Sequence, residues 1–303
     1  MDFRHLRYLC AVAEHRSITK AAAALYISQP SLSHFIAKVE RELGIRIFDR
    51  SATPLALTYA GEAYLRDARR ILDIHEGMNK RNGDMADGSR GRIRLGMPWE
   101  RAAYMLPQIL PQFQARFPLV EVALTTASGR QLTEQLSAGK LDIIVLPQNR
   151  KEDGLTASAI YDEELVLVTA PEALPGVQPG DIPAPEALAG RDFILLHEGH
   201  ALTGKVEALF VAWGIDPPRV LSSHSNITSY RLAAAGLGFT IVPRMTTHIA
   251  RCECEPDLYP LGPEACWRVA ALMREGLYVS AAEQAFIDIA RAAFHAPRAM
   301  PSI

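Results

Sequence analysis

Three groups of polar side chains in this sequence are spaced so that they could bind a partner. The first lies within residues 28–41, where one side of a predicted helix carries Ser31, Ser33, His34, Lys38 and Arg41. Short hydrogen-bonding side chains near a helix N-terminus, followed by cations, suit a helix in the major groove of DNA, where base edges meet the first turn and phosphates meet the rest. An ordinary amphipathic surface helix carries similar patterns, so this face alone leaves both interpretations open.

The second group consists of hydroxyls at the starts of predicted helices. Ser128 precedes a helix predicted over 129–138, Thr203 opens one near 202–213, and Ser225 with Asn226 opens one near 226–235. Helix N-termini offer unpaired N–H groups and the positive end of the dipole, so several of them around one cleft would bind a small anion, such as a carboxylate. Capping of the helices alone explains the same hydroxyls.

The third group is a set of histidines, His197, His200 and His224, in loops at the C-terminal ends of predicted strands, where α/β sheets bind ligands. A three-histidine metal site is one interpretation, but a loop gives these side chains no fixed geometry, so we favour solvated or ligand-facing rings and expect no metal and no cofactor. The sequence contains no G-x-S-x-G, P-loop or G-x-G-x-x-G motif, and we therefore predict that the protein is not an enzyme.

The elements around the first group predict a helix-turn-helix behind an opening helix over 2–15. Ser17 is the expected N-cap of a helix over 18–25, and Ser28 is that of the next helix, which ends at Gly44. Pro30 lies in the first turn, where its missing N–H costs nothing. The buried stripe of this helix is predicted to be Leu32, Ile36, Val39 and Leu43.

Composition places the chain among globular proteins of two domains, with 303 residues of which 49% are apolar. No apolar run approaches the roughly 18–20 residues that span a bilayer, and the start of the chain lacks a secretory signal, so we expect a cytoplasmic protein without membrane contact. Four cysteines, at 10, 252, 254 and 266, are too few for a disulfide framework. Only Arg251 offers a cation beside the last three, which favours inert thiols over redox sensors.

Charge is distributed unevenly along the chain, whose net charge is −2. Residues 1–58 hold eight Lys and Arg against five Asp and Glu, a net +3, and residues 59–90 hold six of each, which leaves −5 for the remainder. A basic head on an acidic body is expected when one end of a protein meets DNA.

A long helix is predicted over about 59–88, followed by a hinge at the glycine-rich residues 83–91. Charged residues cover most of its surface, and its narrow apolar seam predicts pairing with a second copy. The seam comprises Gly61, Tyr64, Ala68, Ile71, His75 and Met78.

Beyond the hinge, strands alternate with helices, a pattern that predicts a parallel, wound α/β sheet. The predicted strands are 92–96, 120–125, 141–146, 164–169, 193–196, 220–222, 238–242 and 267–273. The predicted helices are 100–116, 129–138, 202–213, 226–235 and 281–294.

About sixty N-terminal residues match one family in order and spacing. Phe3, Leu6, Leu9 and Ala13, then S-I-T-K-A-A-A, S-Q-P-S-L-S, V-E-R-E-L-G, I-F-D-R and L-T-Y-A-G-E, closely resemble the winged helix-turn-helix of LysR-type transcriptional regulators, and G-K-L-D-I-I-V at 139–145 with A-A-G-L-G-F-T-I-V-P at 234–243 resemble the effector domain of that family. The resemblance implies an α/β protein with a DNA-binding domain at 1–58, a dimerisation linker helix and hinge at 59–90, and an effector domain at 91–303 with two lobes like those of periplasmic solute-binding proteins. Lobe I is expected at about 91–161 and 267–295, and lobe II at about 162–266. A solute-binding protein alone would lack the DNA-binding head and carry a signal peptide.

The resemblance implies a regulator that binds double-stranded DNA, a small anionic or aromatic effector, itself as a dimer or tetramer, and RNA polymerase. The implied DNA contacts are Gln29, Pro30, Ser31, Ser33, His34, Lys38 and Arg50. The residues expected to meet the effector are Pro98, Trp99, Ser128, His197, His200, Thr203, Ser225 and Asn226.

The sequence departs from the family at three places. Phe35 replaces a polar residue, so we expect it either to pack on the wing or to contact a thymine methyl group, and the wing at 51–56 lacks basic residues. Where the family often has Ser or Thr facing the ligand, this chain has Met97 to Glu100, so Glu100 is expected to repel an anion and Trp99 to stack on an apolar ligand. Some family members sense peroxide through cysteines, but the cysteines here are placed differently.

Overall fold

The chain forms two compact units in a computed structural model that describes residues 2–86, 90–148 and 152–295. The first unit comprises Met1–Asp87 with Gly276–Ser280, and the second comprises Gly88–Glu275 with Ala281–Ile303. The boundary near residue 87 lies within the segment where the sequence predicts a hinge.

Unit 1 is a helical head with a small hairpin and a long final helix. Its elements are α1 (Phe3–His15), α2 (Ile18–Ala24), α3 (Gln29–Leu43), β1 (Phe48–Asp49), β2 (Ala56–Leu57) and α4 (Tyr59–Ala86). Asp2, Ser17 and Ser28 cap the first three helices through their side-chain oxygens. Gly44 ends α3 in the left-handed conformation (φ 69°), as its position predicts.

The core of unit 1 joins all four helices to the hairpin. Its buried members include Leu9, Ala22, Ile36, Phe48 and Leu65. The start of α4 lies directly on Ile47, the residue before β1, because Gly61 has no side chain: a Cβ atom there would be 2.0 Å from the Ile47 carbonyl oxygen. Leu43 is 39% exposed, so its predicted place in the buried stripe is wrong.

The apolar seam of α4 differs from the predicted one. Ala68 is buried in the core of unit 1, and Gly61 meets Ile47, so neither residue is available to a partner. Three apolar side chains remain exposed farther along the helix, namely Ile71, Ile74 and Met78. These side chains alternate with Leu72 and His75, which still pack on the head.

The predicted hinge falls only partly within the described residues. Gly83 lies inside α4 and Gly91 inside the first strand of unit 2, so neither interrupts a regular element. Residues 87–89, the centre of the prediction, lie outside the described part of the chain.

Unit 2 is an α/β domain. Its first half contains β3 (Arg90–Met97), α5 (Trp99–Arg116), β4 (Leu119–Thr126), α6 (Gly129–Ser137), β5 (Ile143–Gln148) and β6 (Leu155–Thr169). Its second half contains α7 (Pro185–Leu188), β7 (Phe193–Leu196), α8 (Ala201–Trp213), β8 (Arg219–Ser223), α9 (Asn226–Ala234), β9 (Thr240–Pro243), α10 (Met245–Ile249), β10 (Asp257–Pro260), β11 (Cys266–Arg274) and α11 (Ala281–His295).

The main sheet of unit 2 is mixed. Its strand order is β10-β6-β11-β5-β3-β4 with β9 also on β6, while β7 and β8 form a separate pair. The pairs β3–β4, β3–β5 and β7–β8 are parallel, but β11 is antiparallel to β5 and β6, and β9 and β10 are antiparallel to β6. The prediction of a parallel sheet is therefore wrong for the strands that pair with β6 and β11.

The long strands β6 and β11 connect the regions that the sequence assigns to separate lobes. The first part of β6 pairs with β11, whereas Leu165–Val168 pair with β9. The predicted strand at 164–169 is only the end of this 15-residue element. A boundary near 161 therefore falls within one continuous strand.

A buried ion pair anchors the start of α5 to this sheet. The Arg101 guanidinium donates to Glu163 at 2.8 Å and to the Tyr161 hydroxyl at 2.9 Å. The hydroxyl of Tyr161 and the indole N–H of Trp267 also donate to Glu163, at 3.0 and 2.8 Å. Both ionic side chains are 2% exposed. Burial opposes the charge on Arg101, but the attraction of Glu163 outweighs it and raises the pKa of the guanidinium.

Replacing Arg101 with Met should lower the free energy of unfolding by about 3–5 kcal/mol, because Glu163 would then be buried without a countercharge. Urea unfolding followed by circular dichroism measures this loss. The double variant Arg101→Met/Glu163→Leu should recover much of it, since neither charge remains. Arg130→Met is the matched control, because Arg130 pairs with Glu134 on the surface of α6. Equal urea midpoints for Arg101→Met and the wild type would show that the pair does not anchor α5.

Candidate nucleic-acid interface and effector site

The predicted recognition face of α3 is on the surface of unit 1. Its exposed members are Gln29, Pro30, Ser31, His34 and Lys38. Ser33 is half-buried beside them. Ser28 accepts a hydrogen bond from the Ser31 backbone N–H at 3.3 Å and shares one with the Ser31 hydroxyl at 2.7 Å. Lys38 forms a long surface ion pair with Glu42, at 3.8 Å, and 64% of its side chain is exposed, so it can meet a phosphate.

Glu40 on α3 holds the base of the wing, a role that the sequence did not reveal. Its Oε1 accepts hydrogen bonds from the backbone N–H groups of Ile47 and Phe48, at 2.9 and 3.1 Å. Its Oε2 accepts one from Arg50 at 3.2 Å. The carboxylate therefore fixes the hairpin relative to α3. Arg50, a predicted DNA contact at the start of the wing, already donates a hydrogen bond to this carboxylate.

Phe35 packs within unit 1. Its ring lies 4.7 Å from that of His5 and 5.6 Å from that of Tyr8, both on α1. The ring contacts of Phe35 are thus with α1, while packing on the wing and contact with a thymine methyl group stay predictions. Phe35 joins α1 to α3 and supports the recognition helix from behind.

The three histidines of unit 2 do form a cluster. The ring of His197 lies 4.1 Å from that of His224 and 5.9 Å from that of His200. His200 caps α8, because its Nδ1 accepts a hydrogen bond from the Leu202 N–H at 3.2 Å. Burial lowers the pKa of His200, and the neighbouring His197 adds to this effect. The neutral ring that the cap requires is thus favoured.

Two of the predicted effector hydroxyls have partners within their own segments. Thr203 is 5% exposed and donates to the carbonyl oxygens of Leu196 and His197. Ser128 forms a capping box with Gln131 at the start of α6, and its hydroxyl donates to the Gln131 side chain at 2.9 Å. Capping and loop closure account for both hydroxyls.

Glu100 lies at the place where the sequence predicts an anion. Its Oε1 accepts hydrogen bonds from the Ser225 hydroxyl at 2.8 Å and the Ile227 N–H at 3.2 Å, and its Oε2 accepts one from the Asn226 side chain. The predicted repulsion between Glu100 and an anion thus has a structural basis, because the Glu100 carboxylate already occupies the N-terminus of α9. Next to it, Pro98 precedes α5 and Trp99 is 71% exposed.

A cavity of about 840 Å³ lies beside the first turns of α8. His200 and Thr203 are predicted effector residues that line it. Other side chains on its wall include Gln148, Glu198, Lys205, Glu207, Cys266, Trp267 and Arg268. Arg268 is paired with Asp162 at 2.8 Å. Nothing in the sequence pattern distinguished Lys205 or Glu198 from ordinary surface charges, and only the fold brings them to one cavity.

The thiol of Cys266, which lines this cavity, has a higher pKa than a free cysteine. Burial raises the pKa of Cys266, and the neighbouring Asp162 adds to the rise. Burial likewise raises the pKa of Cys10 and Cys252. These thiols are therefore weaker nucleophiles than an exposed cysteine.

Two other kinds of site are absent from the described ranges. In residues 2–86, 90–148 and 152–295, no three His, Cys, Asp or Glu side chains are arranged to hold a metal ion. Within the same residues, no helix has both the length and the apolar character that a membrane crossing requires.

Comparison with known proteins places these features in one family. Residues 3–62 match the family described as bacterial regulatory helix-turn-helix protein, lysR family, and residues 86–295 match the LysR substrate binding domain. The hydrogen peroxide-inducible genes activator of Dickeya chrysanthemi is 30% identical over 279 residues, which cover 91% of this chain and 90% of the relative.

Solved structures agree with this assignment. A full-length OxyR variant from Pseudomonas aeruginosa superposes with a TM-score of 0.75 at 24% identity, over 96% of this chain and 95% of that one, and so supports the fold. CbnR in complex with its target DNA gives a TM-score of 0.61 at 25% identity, over 97% of this chain and all of that one. The exposed α3 face, the α/β domain and these matches together show that the chain belongs to the LysR family of bacterial transcription regulators.

Proposed function

We propose that this regulator recognises its DNA site with the α3 helices of two paired copies, and that a small molecule in the cavity beside α8 changes this binding. The observation that carries the DNA half of the proposal is the exposure of one polar face of α3, whose opposite face is buried on α1, α2 and the wing. CbnR, a similar protein, has been solved with its target DNA.

The roles of the α3 side chains follow from their positions. Gln29, Ser31, Ser33 and His34 lie within the first two turns, where hydrogen-bonding groups reach base edges. Pro30 shapes the first turn, while Lys38 and Arg50 lie farther along the face and at the wing and meet phosphates. We therefore assign sequence discrimination to the first turns and general affinity to the two cations.

Self-association supplies the second α3 helix. Ile71, Ile74 and Met78 are 45%, 63% and 56% exposed on α4, although each is a large apolar side chain. Their spacing of three and four residues puts them on one side of the helix, which suits pairing with the same surface of a second copy. The paired head would act in the cytoplasm, where its DNA lies, and would influence RNA polymerase without catalysing a reaction.

The cavity beside α8 suits a small polar effector. Lys205 presents a cation and Glu198 an anion on its wall, and His200 contributes a neutral ring. An anionic or aromatic molecule would find a countercharge in Lys205 and a flat apolar partner in Trp267. We propose no redox role for Cys266, because burial raises the pKa of its thiol and disfavours the thiolate that peroxide oxidises.

Replacing Ser33 or His34 with Ala should reduce the discrimination between operator and random DNA by about tenfold, since a good base contact contributes about 1–3 kcal/mol. Lys38→Ala should instead weaken both kinds of DNA and reduce the salt dependence by about one phosphate contact. Gel mobility shifts at several salt concentrations, with an operator selected from random DNA by the wild-type protein, measure both effects. Arg130→Ala, which removes a charge from α6 in unit 2, is the matched control. Equal losses on both DNAs for all three head variants would contradict these roles.

A thermal-shift screen of small acids and neutral aromatic compounds should identify an effector that stabilises the wild type. An effector present at about 100 times its dissociation constant stabilises the folded state by about 2.7 kcal/mol. Lys205→Ala should remove most of the response to an acid, because Lys205 lines the cavity. Ser128→Ala should leave it unchanged if the cavity is the site. Loss of the response in Ser128→Ala alone would instead place the effector at the N-terminus of α6.

A further inference from the structure

We propose that Glu100 is an intramolecular ligand: its carboxylate fills a carboxylate-binding site at the N-terminus of α9, so that this place is occupied without any effector. This inference concerns how unit 2 is held together. Any role of this contact in regulation rests on the proposed function, because a site filled by the protein's own side chain affects regulation only in a domain that responds to a ligand.

The site has the composition of an anion-binding site. Three donors from three consecutive residues converge on one carboxylate: the Ser225 hydroxyl, the Asn226 side-chain amide and the Ile227 backbone N–H. Ser225 also accepts a hydrogen bond from the Thr228 N–H at 3.3 Å, so its hydroxyl proton is directed away from the helix and towards Glu100. The positive end of the α9 dipole favours the same negative charge.

The carboxylate comes from a distant part of the chain. Glu100 lies in the first turn of α5 and is separated from Ser225 by 125 positions. The next residue, Arg101, forms a buried ion pair with Glu163 on β6. Consecutive residues therefore tie the start of α5 both to the sheet and to α9, and the position of Glu100 is set by a rigid neighbour.

One buried atom suggests that this site can accept other ligands. Asn226 is 7% exposed, and within the described part of the chain its Oδ1 has no hydrogen-bond partner. The amide can therefore turn its oxygen inward at little cost, which would let it accept a hydrogen bond from an amide placed where Glu100 lies now. Glu100→Gln should for this reason preserve the shape of the contact while removing its charge, whereas Glu100→Ala should leave a space of carboxylate size.

Chemical rescue of the full-length protein tests the proposal. Thermal unfolding of the wild type, Glu100→Ala and Glu100→Gln is measured in sodium acetate, sodium formate and sodium chloride at equal concentrations. Glu100→Ala should unfold about 5 °C below the wild type, because three donors lose a charged acceptor. Acetate and formate should raise its Tm in a saturable manner and chloride should not. The wild type and Glu100→Gln should gain less from acetate and formate than Glu100→Ala does, because a side chain still fills the site.

Failure of acetate and formate to stabilise a folded Glu100→Ala protein would overturn the inference, as would an equal response of the wild type. If Glu100→Ala does not fold, a double-mutant cycle between Glu100→Gln and Ser225→Ala decides. The loss of Tm caused by Ser225→Ala should then be larger in the wild type than in Glu100→Gln, because the hydroxyl donates to a charged oxygen in the wild type only. Equal losses in both backgrounds would contradict the proposal.

These results are separable from the proposed function. Absence of specific DNA binding by the wild-type chain would refute the regulatory role, and carboxylate rescue of Glu100→Ala would still support the intramolecular ligand. Conversely, failed rescue in a chain that binds its operator normally would refute the ligand and leave DNA recognition in place.

Discussion

The arrangement of unit 2 depends on the buried pair between Arg101 and Glu163. A charge in the core is stable only when its hydrogen-bonding groups are satisfied, and here Tyr161 and Trp267 complete the shell around the carboxylate. Burial raises the pKa of Tyr161, so its hydroxyl keeps the proton that it donates. The Nε of Arg101 has no hydrogen-bond partner among the described residues, which is a cost that the pair carries in the folded state. The pair thereby fixes the rotation of α5 about its own axis and determines where Glu100 and Trp99 point.

Features that depend on neighbouring residues could be predicted from the sequence. The N-caps at Ser17, Ser28, Ser128 and Ser225 all form as predicted, because a hydroxyl and the N–H three residues later need no information from elsewhere in the chain. Helix bounds agree to within about two residues for the same reason. The polar face of α3 was likewise predictable, since helical periodicity determines which side chains share a face.

Features that depend on partners distant in sequence could not be predicted. The first half of β6 contains Ala157, Ser158 and Ala159, small residues without a strong strand preference, and forms a strand because β11 pairs with it. The same pairing reverses the strand direction that a simple alternation of strands and helices predicts. In α4, Gly61 and Ala68 fit the heptad spacing, but the core of the head buries them first. Glu40 is inconspicuous in the sequence, and the sequence marks Glu100 only as a residue that would repel an anion. Each accepts hydrogen bonds from residues that only the fold brings near it.

The helix N-termini show why residue type alone does not determine a ligand site. Ser128, Thr203 and Ser225 all lie where an anion could bind, yet the hydroxyl of Ser128 is used within its capping box and that of Thr203 by two carbonyl groups. Ser225 instead directs its proton to a segment distant in sequence, and the acceptor that it meets is the side chain of Glu100. The unpaired N–H groups at a helix N-terminus favour a nearby negative charge, and a side chain of the same protein can provide that charge. Whether such an end serves an effector or the fold is therefore decided by where the nearest unpaired carboxylate lies, a property of the tertiary structure that no local pattern contains.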